Sequence, residues 1–469
     1  MKRITRREFG RRTAGTVTAA FAIPAAGHTL WARQQRARIQ PNVLFVLMDD
    51  MRWDYMGCAG HPVIKTPALD RLAREGARFT NAFVCLSLCS PSRASFLTGL
   101  YAHVHGVLNN RTPLDFGRLT TFPQLFQAAG YRTAMFGKWH MGVDMDPKPG
   151  FDHWACFQGQ GTYFNPTLNV NGEVIKPEGF TDDVTSEMAA DWMNTAGQKP
   201  FLAIVGFKSC HSPFEPPPRT ANLYDGVQMP RRASFDRPMP DQPAWIQKFD
   251  DTGHTPYSRI PADELALRFA RLVTAADDNV GRMLRALETA GQLDRTLVIF
   301  SSDNGFLVHE HGLYDKRAMY EESIRIPLLM RYPALIRRGD VHDLTLNVDL
   351  APTLLDLIDA QGAERMQGVS LLPALQGQRR KKRSIFFYQY DRETPYSTPS
   401  LTGVRTEDWK LVQYGEAGQA HELYNLKTDP FEMRNLFESP SARKQRERLE
   451  RDLNRLAPLA KIPQPIHGC

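Results

Sequence analysis

Three short, uninterrupted apolar runs constrain this chain most: Asn42 to Met48, Phe201 to Phe207 and Thr296 to Ser301. A strand with one wet face alternates apolar and polar residues. A run without alternation belongs to a strand covered on both faces, which is the habit of parallel sheets. Between these runs, Pro67 to Gly76, Thr121 to Gly130, Asp183 to Asn194 and Glu264 to Gly291 carry apolar residues at helical spacing. Strands alternating with helices predict an α/β fold, a large and mostly parallel sheet sandwiched by helices. Functional groups of such a fold collect at the carboxyl ends of the strands.

The 469 residues, 42% of them hydrophobic, can bury a large core and more than one unit. Residues 40–375 hold the alternating pattern. Beyond them, Ser384 to Tyr390, Gly403 to Tyr414 and Glu422 to Leu426 alternate as antiparallel strands do, and Ala442 to Leu456 reads as a charged closing helix. Residues 384–460 are therefore expected to form a smaller α+β subdomain with an antiparallel sheet, packed on the active-site edge. The run Arg379 to Arg383 between the two units is expected to be a solvated loop. Pro213 to Pro261 reads as an irregular excursion walling the pocket.

Residues 1–32 read as an address rather than as structure. Thr5-Arg6-Arg7-Glu8-Phe9 lies in a basic start, followed by a mildly apolar run from Thr13 to Ala26, and the pattern resembles a twin-arginine export signal cleaved between Ala26 and Ala32. The run is too short and too weakly apolar to span a bilayer, which takes about 20 apolar residues. A periplasmic or secreted protein without an integral membrane segment is expected. Residues 1–33 carry seven basic groups against Glu8, hence six of the chain's seven net positive charges. The remainder is near neutral and has no basic, aromatic-interleaved stripe of the kind that binds nucleic acid.

Six cysteines, at 58, 85, 89, 156, 210 and 469, are too sparse for a disulfide framework, although one bridge stays open. Cys85 and Cys89 have no histidines at zinc-type spacing. Cys89 stands instead in Cys89-Ser90-Pro91-Ser92-Arg93, with Thr98-Gly99 downstream. A cysteine in apolar surroundings is commonly a buried small hydrophobe. At the start of a helix, however, backbone N–H donors and positive potential favour a nucleophile and an anion. Asp49-Asp50 ends the first apolar run and Asp303-Asn304-Gly305 ends the third. Either alone would suit a turn. Together, three carboxylates and an amide oxygen at strand ends suit a hard cation, calcium or magnesium.

The Cys-x-Pro-Ser-Arg pentapeptide with its Thr-Gly resembles the signature of the formylglycine-dependent (type I) sulfatases of the alkaline phosphatase superfamily. The likeness extends through most of the chain: Asn42 to Asp50, Gly137-Lys138-Trp139-His140, Cys210-His211-Ser212-Pro213, Asp278 to Arg282, Asp303-Asn304-Gly305 with His311-Gly312 and Lys316, and Glu422 to Leu426 with Asp429-Pro430 and Asn435-Leu436. Gly150-Phe151-Asp152, Gly159 to Tyr163 and Lys316 to Ser323 look most like the bacterial N-acetylglucosamine-6-sulfatase-like branch, which implies a sulfated carbohydrate substrate.

The resemblance implies that a formylglycine-generating enzyme oxidises Cys89 to formylglycine, whose hydrated aldehyde attacks sulfur. Asp49, Asp50, Asp303 and Asn304, with position 89, would hold one Ca2+ or Mg2+. Arg93 would fix the hydrated aldehyde, and Lys138 and Lys316 would surround the transferred group with positive charge. His211 is the candidate general acid, helped by Lys316, and His140 the candidate base for the second hydroxyl. His103 and His105 fit a packing role under the helix as well as a catalytic one, and His309 and His311 fit substrate contact or loop capping. Rival readings are a phosphodiester or phosphonate monoester hydrolase of the same superfamily, an aryl or choline sulfatase, and a silent glycan-binding protein. A binder has no need of the whole residue set.

Overall fold

A computed structural model describes residues 40–195, 197, 199–236, 241–247, 260–378, 381–415 and 418–457. The expected leader, Arg379, Arg380 and Cys469 lie outside the described residues.

The central sheet has ten strands: β1 (Asn42–Met48), β2 (Ala77–Phe79), β3 (Arg132–Lys138), β4 (His153–Phe157), β5 (Leu168–Val170), β6 (Glu173–Ile175), β7 (Phe201–Gly206), β8 (Thr296–Ser302), β9 (Leu328–Arg331) and β10 (Gly339–Val341). Their order across the sheet is β10-β2-β9-β8-β1-β7-β3-β4-β5-β6. The middle is parallel: β1 pairs with both β7 and β8, and β3 with β7 and β4. Strand β9 runs antiparallel to β8, and β5 and β6 extend the far edge antiparallel. The three apolar runs are thus the three central strands, and every residue of β1, β7 and β8 is buried.

Alternate residues of β1 feed two cores. Val43, Phe45 and Leu47 pack with helices α2 (Cys89–Thr98), α3 (Phe122–Ala128) and α6 (Leu350–Leu357), whereas Leu44, Val46 and Met48 pack with α1 (Pro67–Glu75), α4 (Thr181–Asn194) and α5 (Ala262–Thr289). This is the helix-sheet-helix sandwich that the pattern predicts.

A second sheet joins β11 (Ile385–Tyr390), β12 (Leu401–Thr406), β13 (Trp409–Tyr414) and β14 (Glu422–Asn425), all antiparallel in chain order. The stretch expected as one strand from Gly403 to Tyr414 is a hairpin, because Glu407-Asp408 turn the chain between β12 and β13. One face of this sheet, with Phe387, Val404, Leu411 and Leu423, packs on Leu449 and Leu453 of α7 (Arg443–Leu456). The other face, with Phe386, Tyr388, Tyr390, Val412 and Tyr424, joins the core of the main sheet.

Polar contacts tie that seam to the segment after Lys316. Tyr388 donates to the Arg317 carbonyl at 2.7 Å, Lys410 to the Met319 carbonyl at 2.7 Å, and the hydroxyls of Tyr320, Tyr414 and Tyr424 all converge on buried Glu422 at 2.6, 2.6 and 2.7 Å. Arg383 departs from its expected solvated loop. Its guanidinium is mostly buried and donates with both NH1 and NH2 to fully buried Asp349, which also accepts from the backbone of Leu346 and Val369.

Candidate active site

Neighbouring parallel strands bring Asp49-Asp50 and Asp303-Asn304 together. In the β1–β8 ladder Met48 pairs with Ser302, so Asp49-Asp50 and Asp303-Asn304 leave the sheet side by side. The Asp50 amide donates to Asp303 Oδ1 at 3.1 Å, and Asn304 Nδ2 donates to Asp50 Oδ1 at 2.6 Å. One carboxylate oxygen from each of Asp49, Asp50 and Asp303 lies within 4.8 Å of the others, and all three residues are buried.

Position 89 opens helix α2 beside them, where exposed helix N–H groups favour negative charge. Cys89 Sγ lies 3.5 Å from Asp49 Oδ1 and 3.3 Å from Lys316 Nζ, and Asp49, Cys89 and His211 form a second close trio. Burial raises the Cys89 thiol pKa, with Lys138 and Lys316 opposing. The thiol is therefore protonated and inert as it stands.

Cations fill the spaces between the acids. Lys138 pairs with Asp49 and also donates to Gln160 Oε1 at 2.5 Å, Lys316 pairs with Asp50, and Arg93 donates from Nε to Asp303 Oδ2 at 2.8 Å and from NH1 to the Lys138 carbonyl at 2.8 Å. Two glycines make the last contact possible. A Cβ on Gly137, at φ +77°, would lie 2.2 Å from the Gly206 carbonyl oxygen, and one on Gly206 would lie 2.3 Å from the Lys138 carbonyl oxygen.

Burial works against charge on Asp49, yet Lys138, Arg93 and Lys316 hold its carboxyl well below the ordinary range. Burial pushes Asp50 up to about 7, with Lys316 opposing and Asp49 and Asp303 adding to the rise. Asp303 is also raised, by burial and by Asp49. Two carboxyls that stay raised despite these cations, with a buried Asn304 Oδ1 that has no partner, fit a divalent cation at this point.

The two expected histidines flank the cluster. His211 Nε2 lies 3.9 Å from Asp50 Oδ2, and the ring is the more open of the two, with a side chain 14% exposed. His140 is buried at φ +57° with Nδ1 unpartnered. Burial lowers both imidazole pKa values well below the ordinary one. Lys138 adds to this in His140, and in His211 the lysines oppose the pull of Asp49.

Other histidines are held away from this cluster. His105 meets Ser95 of α2 at 3.1 Å and accepts from the Val107 amide, a packing position. His103 meets Gln389 at 2.9 Å. His311 stacks on Tyr320 with centroids 3.9 Å apart and lies in a buried trio with Glu322 and Glu432. His309 packs edge-on to Tyr314.

Lys208 is the residue that pattern reading passed over. It is fully buried beside the site, donates to the carbonyls of Gln160 and Ser212 at 3.0 and 3.1 Å, and sits 4.7 Å over the Tyr163 ring. Burial, with Lys138 adding, lowers it to about 8. The available signal was its place just beyond the apolar run of β7, at the carboxyl end of a central strand. Asp182 supports this turn by accepting from the amides of Lys208 and Ser209 at 2.8 and 3.1 Å.

A family profile for sulfatases matches residues 41–360, well over half the chain. The chain belongs to the sulfatase family. A second profile, for the C-terminal part of N-sulphoglucosamine sulphohydrolase, matches residues 309–458 of this sulfatase. It is 32% identical to an N-acetylglucosamine-6-O-sulfatase of Bacteroides thetaiotaomicron, over 89% of this chain and 86% of the relative. Among solved structures it resembles BT4656 in complex with its substrate D-glucosamine-2-N,6-O-disulfate, at a TM-score of 0.81 and 31% identity, covering 90% of this chain and 98% of that one. A phosphonate monoester hydrolase of Agrobacterium radiobacter shares the fold at a TM-score of 0.73 and 23% identity, over 90% and 96% of the two chains. The sulfatase is a sulfuric ester hydrolase. Among its described residues no helix is long and apolar enough to cross a membrane.

Proposed function

We propose that this sulfatase removes sulfate from a sulfated amino sugar of a glycan, using formylglycine at position 89 and one Ca2+ or Mg2+ held by Asp49, Asp50, Asp303 and Asn304. The observation that carries the reading is the convergence of those four oxygen-bearing side chains on Cys89 at the head of α2. The cation, when bound, lowers the pKa of a coordinated hydroxyl and offsets charge on the sulfuryl group. Formylglycine supplies a geminal diol in place of an inert thiol.

The chain's own residues do the rest. Arg93, spanning Asp303 and the Lys138 carbonyl, fixes the floor under position 89. Lys138 and Lys316 stand ready to leave their aspartates and neutralise a sulfate, which is electrostatic stabilisation in a dry site. His211 is neutral while buried among lysines, and an anionic sulfate there restores its proton, so Nε2 becomes the donor to the leaving alcohol. His140, neutral and with Nδ1 free, is the acceptor for a proton at position 89.

In this reading residues 40–375 carry the chemistry, residues 384–460 brace it, and residues 1–32 direct export after a formylglycine-generating enzyme has acted. The names borne by the relatives support N-acetylglucosamine 6-sulfate as the first substrate to try. The test is sulfate release from a panel of sulfated monosaccharides by metal-replete enzyme, with mass spectrometry of the Cys89 peptide. Turnover with an unmodified thiol would refute the nucleophile. Faster turnover of phosphodiesters or phosphonate monoesters than of any sulfate ester would favour the rival hydrolase.

A further inference from the structure

Helix α7 buries one stripe and charges the opposite one. Leu449 and Leu453 face the antiparallel sheet, while Lys444, Arg448, Arg451 and Arg455 are all exposed. Their spacing of four, three and four residues keeps the four cations within about 60° of arc and extends about 16 Å along the axis. The remaining basic residues of the helix are occupied elsewhere: Arg443 pairs with Glu447 at 3.0 Å and Arg446 with Glu450 at 3.9 Å. Among the described residues the stripe's one ion pair is at its end, where Arg455 meets Asp452 at 2.9 Å. Among the described residues, Lys444, Arg448 and Arg451 make no ion pair.

Some partly exposed arginines elsewhere are matched with acids, as with Arg71 and Glu288, Arg78 and Asp340, and Arg268 and Glu264. Like charges three and four residues apart on a helix repel and destabilise it. The chain outside residues 1–33 is near neutral, so the stripe is a segregation of charge rather than a share of a general excess.

We infer that the outer face of α7 is an exosite that holds a sulfated glycan chain while one of its sugars is processed in the active site. Sulfate half-esters are permanently anionic at neutral pH, and a linear polymer presents them in a row, which complements a straight row of cations. The inference rests on the proposed glycan substrate, but its test reads binding separately from turnover. An exosite of this kind adds affinity for chains through a second contact and leaves single sugars unaffected.

The experiment uses the full-length enzyme and two triple variants, K444E/R448E/R451E and K444Q/R448Q/R451Q. Heparin and dextran sulfate binding are measured by calorimetry over a range of salt, alongside kcat/KM on N-acetylglucosamine 6-sulfate. The expected result is at least a tenfold loss of chain affinity and a shallower salt dependence in both variants, with monosaccharide turnover unchanged. Chain affinity that persists in folded variants overturns the inference, and so does equal wild-type affinity for single-stranded DNA of matched charge. If the stripe binds chains but no sulfated sugar is turned over, the substrate reading fails and the exosite stands.

Discussion

Met48 and Ser302 are partners in the parallel ladder between β1 and β8, and they are followed directly by Asp49-Asp50 and by Asp303-Asn304. Two segments more than half the chain apart thereby place three buried carboxylates within 4.8 Å of one another. Without the proposed cation these carboxylates have only their lysine and arginine partners against their mutual repulsion. Chelator treatment is expected to abolish sulfate release and to lower stability, and Ca2+ at a hundred times its dissociation constant is expected to restore about 2.7 kcal/mol. Denaturation curves with and without Ca2+ check this, and Asp303→Asn should respond to neither chelator nor Ca2+.

The same carboxylates set a pH dependence. Asp50, pushed up to about 7 by burial against the pull of Lys316, binds its proton more tightly folded than unfolded. Its contribution is fully present below an unfolded pKa of about 4 and is lost as pH rises through about 7. Raised Asp303 acts in the same direction, whereas lowered Asp49 loses its contribution only at more acid pH. The chelated enzyme is therefore expected to be less stable at pH 8 than at pH 5, with Ca2+ removing the difference. Apparent Ca2+ affinity should fall as pH drops below about 7, because protons compete for the ligand. Chemical denaturation at the two pH values decides the first point and calorimetric titration the second.

His211→Ala separates leaving groups. A sugar alkoxide needs a proton as it departs and an activated phenolate does not, so the variant should lose about 10²–10⁴-fold in kcat on a sulfated sugar and far less on 4-nitrophenyl sulfate. Equal losses on both substrates would remove His211 from the role of acid.

Arg383 tests the seam between the two sheets. Arg383→Ala leaves Asp349 buried, with only the Leu346 and Val369 amides against its charge. Breaking a buried pair costs about 3 kcal/mol or more, measurable in urea. A change within the error of measurement would return this residue to the solvated loop its sequence suggested.

The central strands were legible because a strand covered on both faces can be written only with apolar residues, as in Val43 to Met48. Asp49-Asp50 and Asp303-Asn304 were legible because they follow those strands directly. Helix α2 has no such signature: all ten of its residues are buried, so it has no wet face and no amphipathic period, and its motif alone marked it. Lys208 was missed because one lysine after a strand reads as the start of a loop, and only the fold surrounds it with Tyr163, Gln160 and Ser212. Arg383 was misread because its partner, Asp349, is supplied from the neighbouring helix region and not by the run itself.

Cys89 has 0% of its surface open to solvent, beneath a ring of side chains contributed by both halves of the sheet. A thiol that water does not reach is out of reach of a second protein as well. The proposed oxidation of that atom by a second protein is therefore expected early, on a nascent or still unfolded polypeptide, before compaction closes over it.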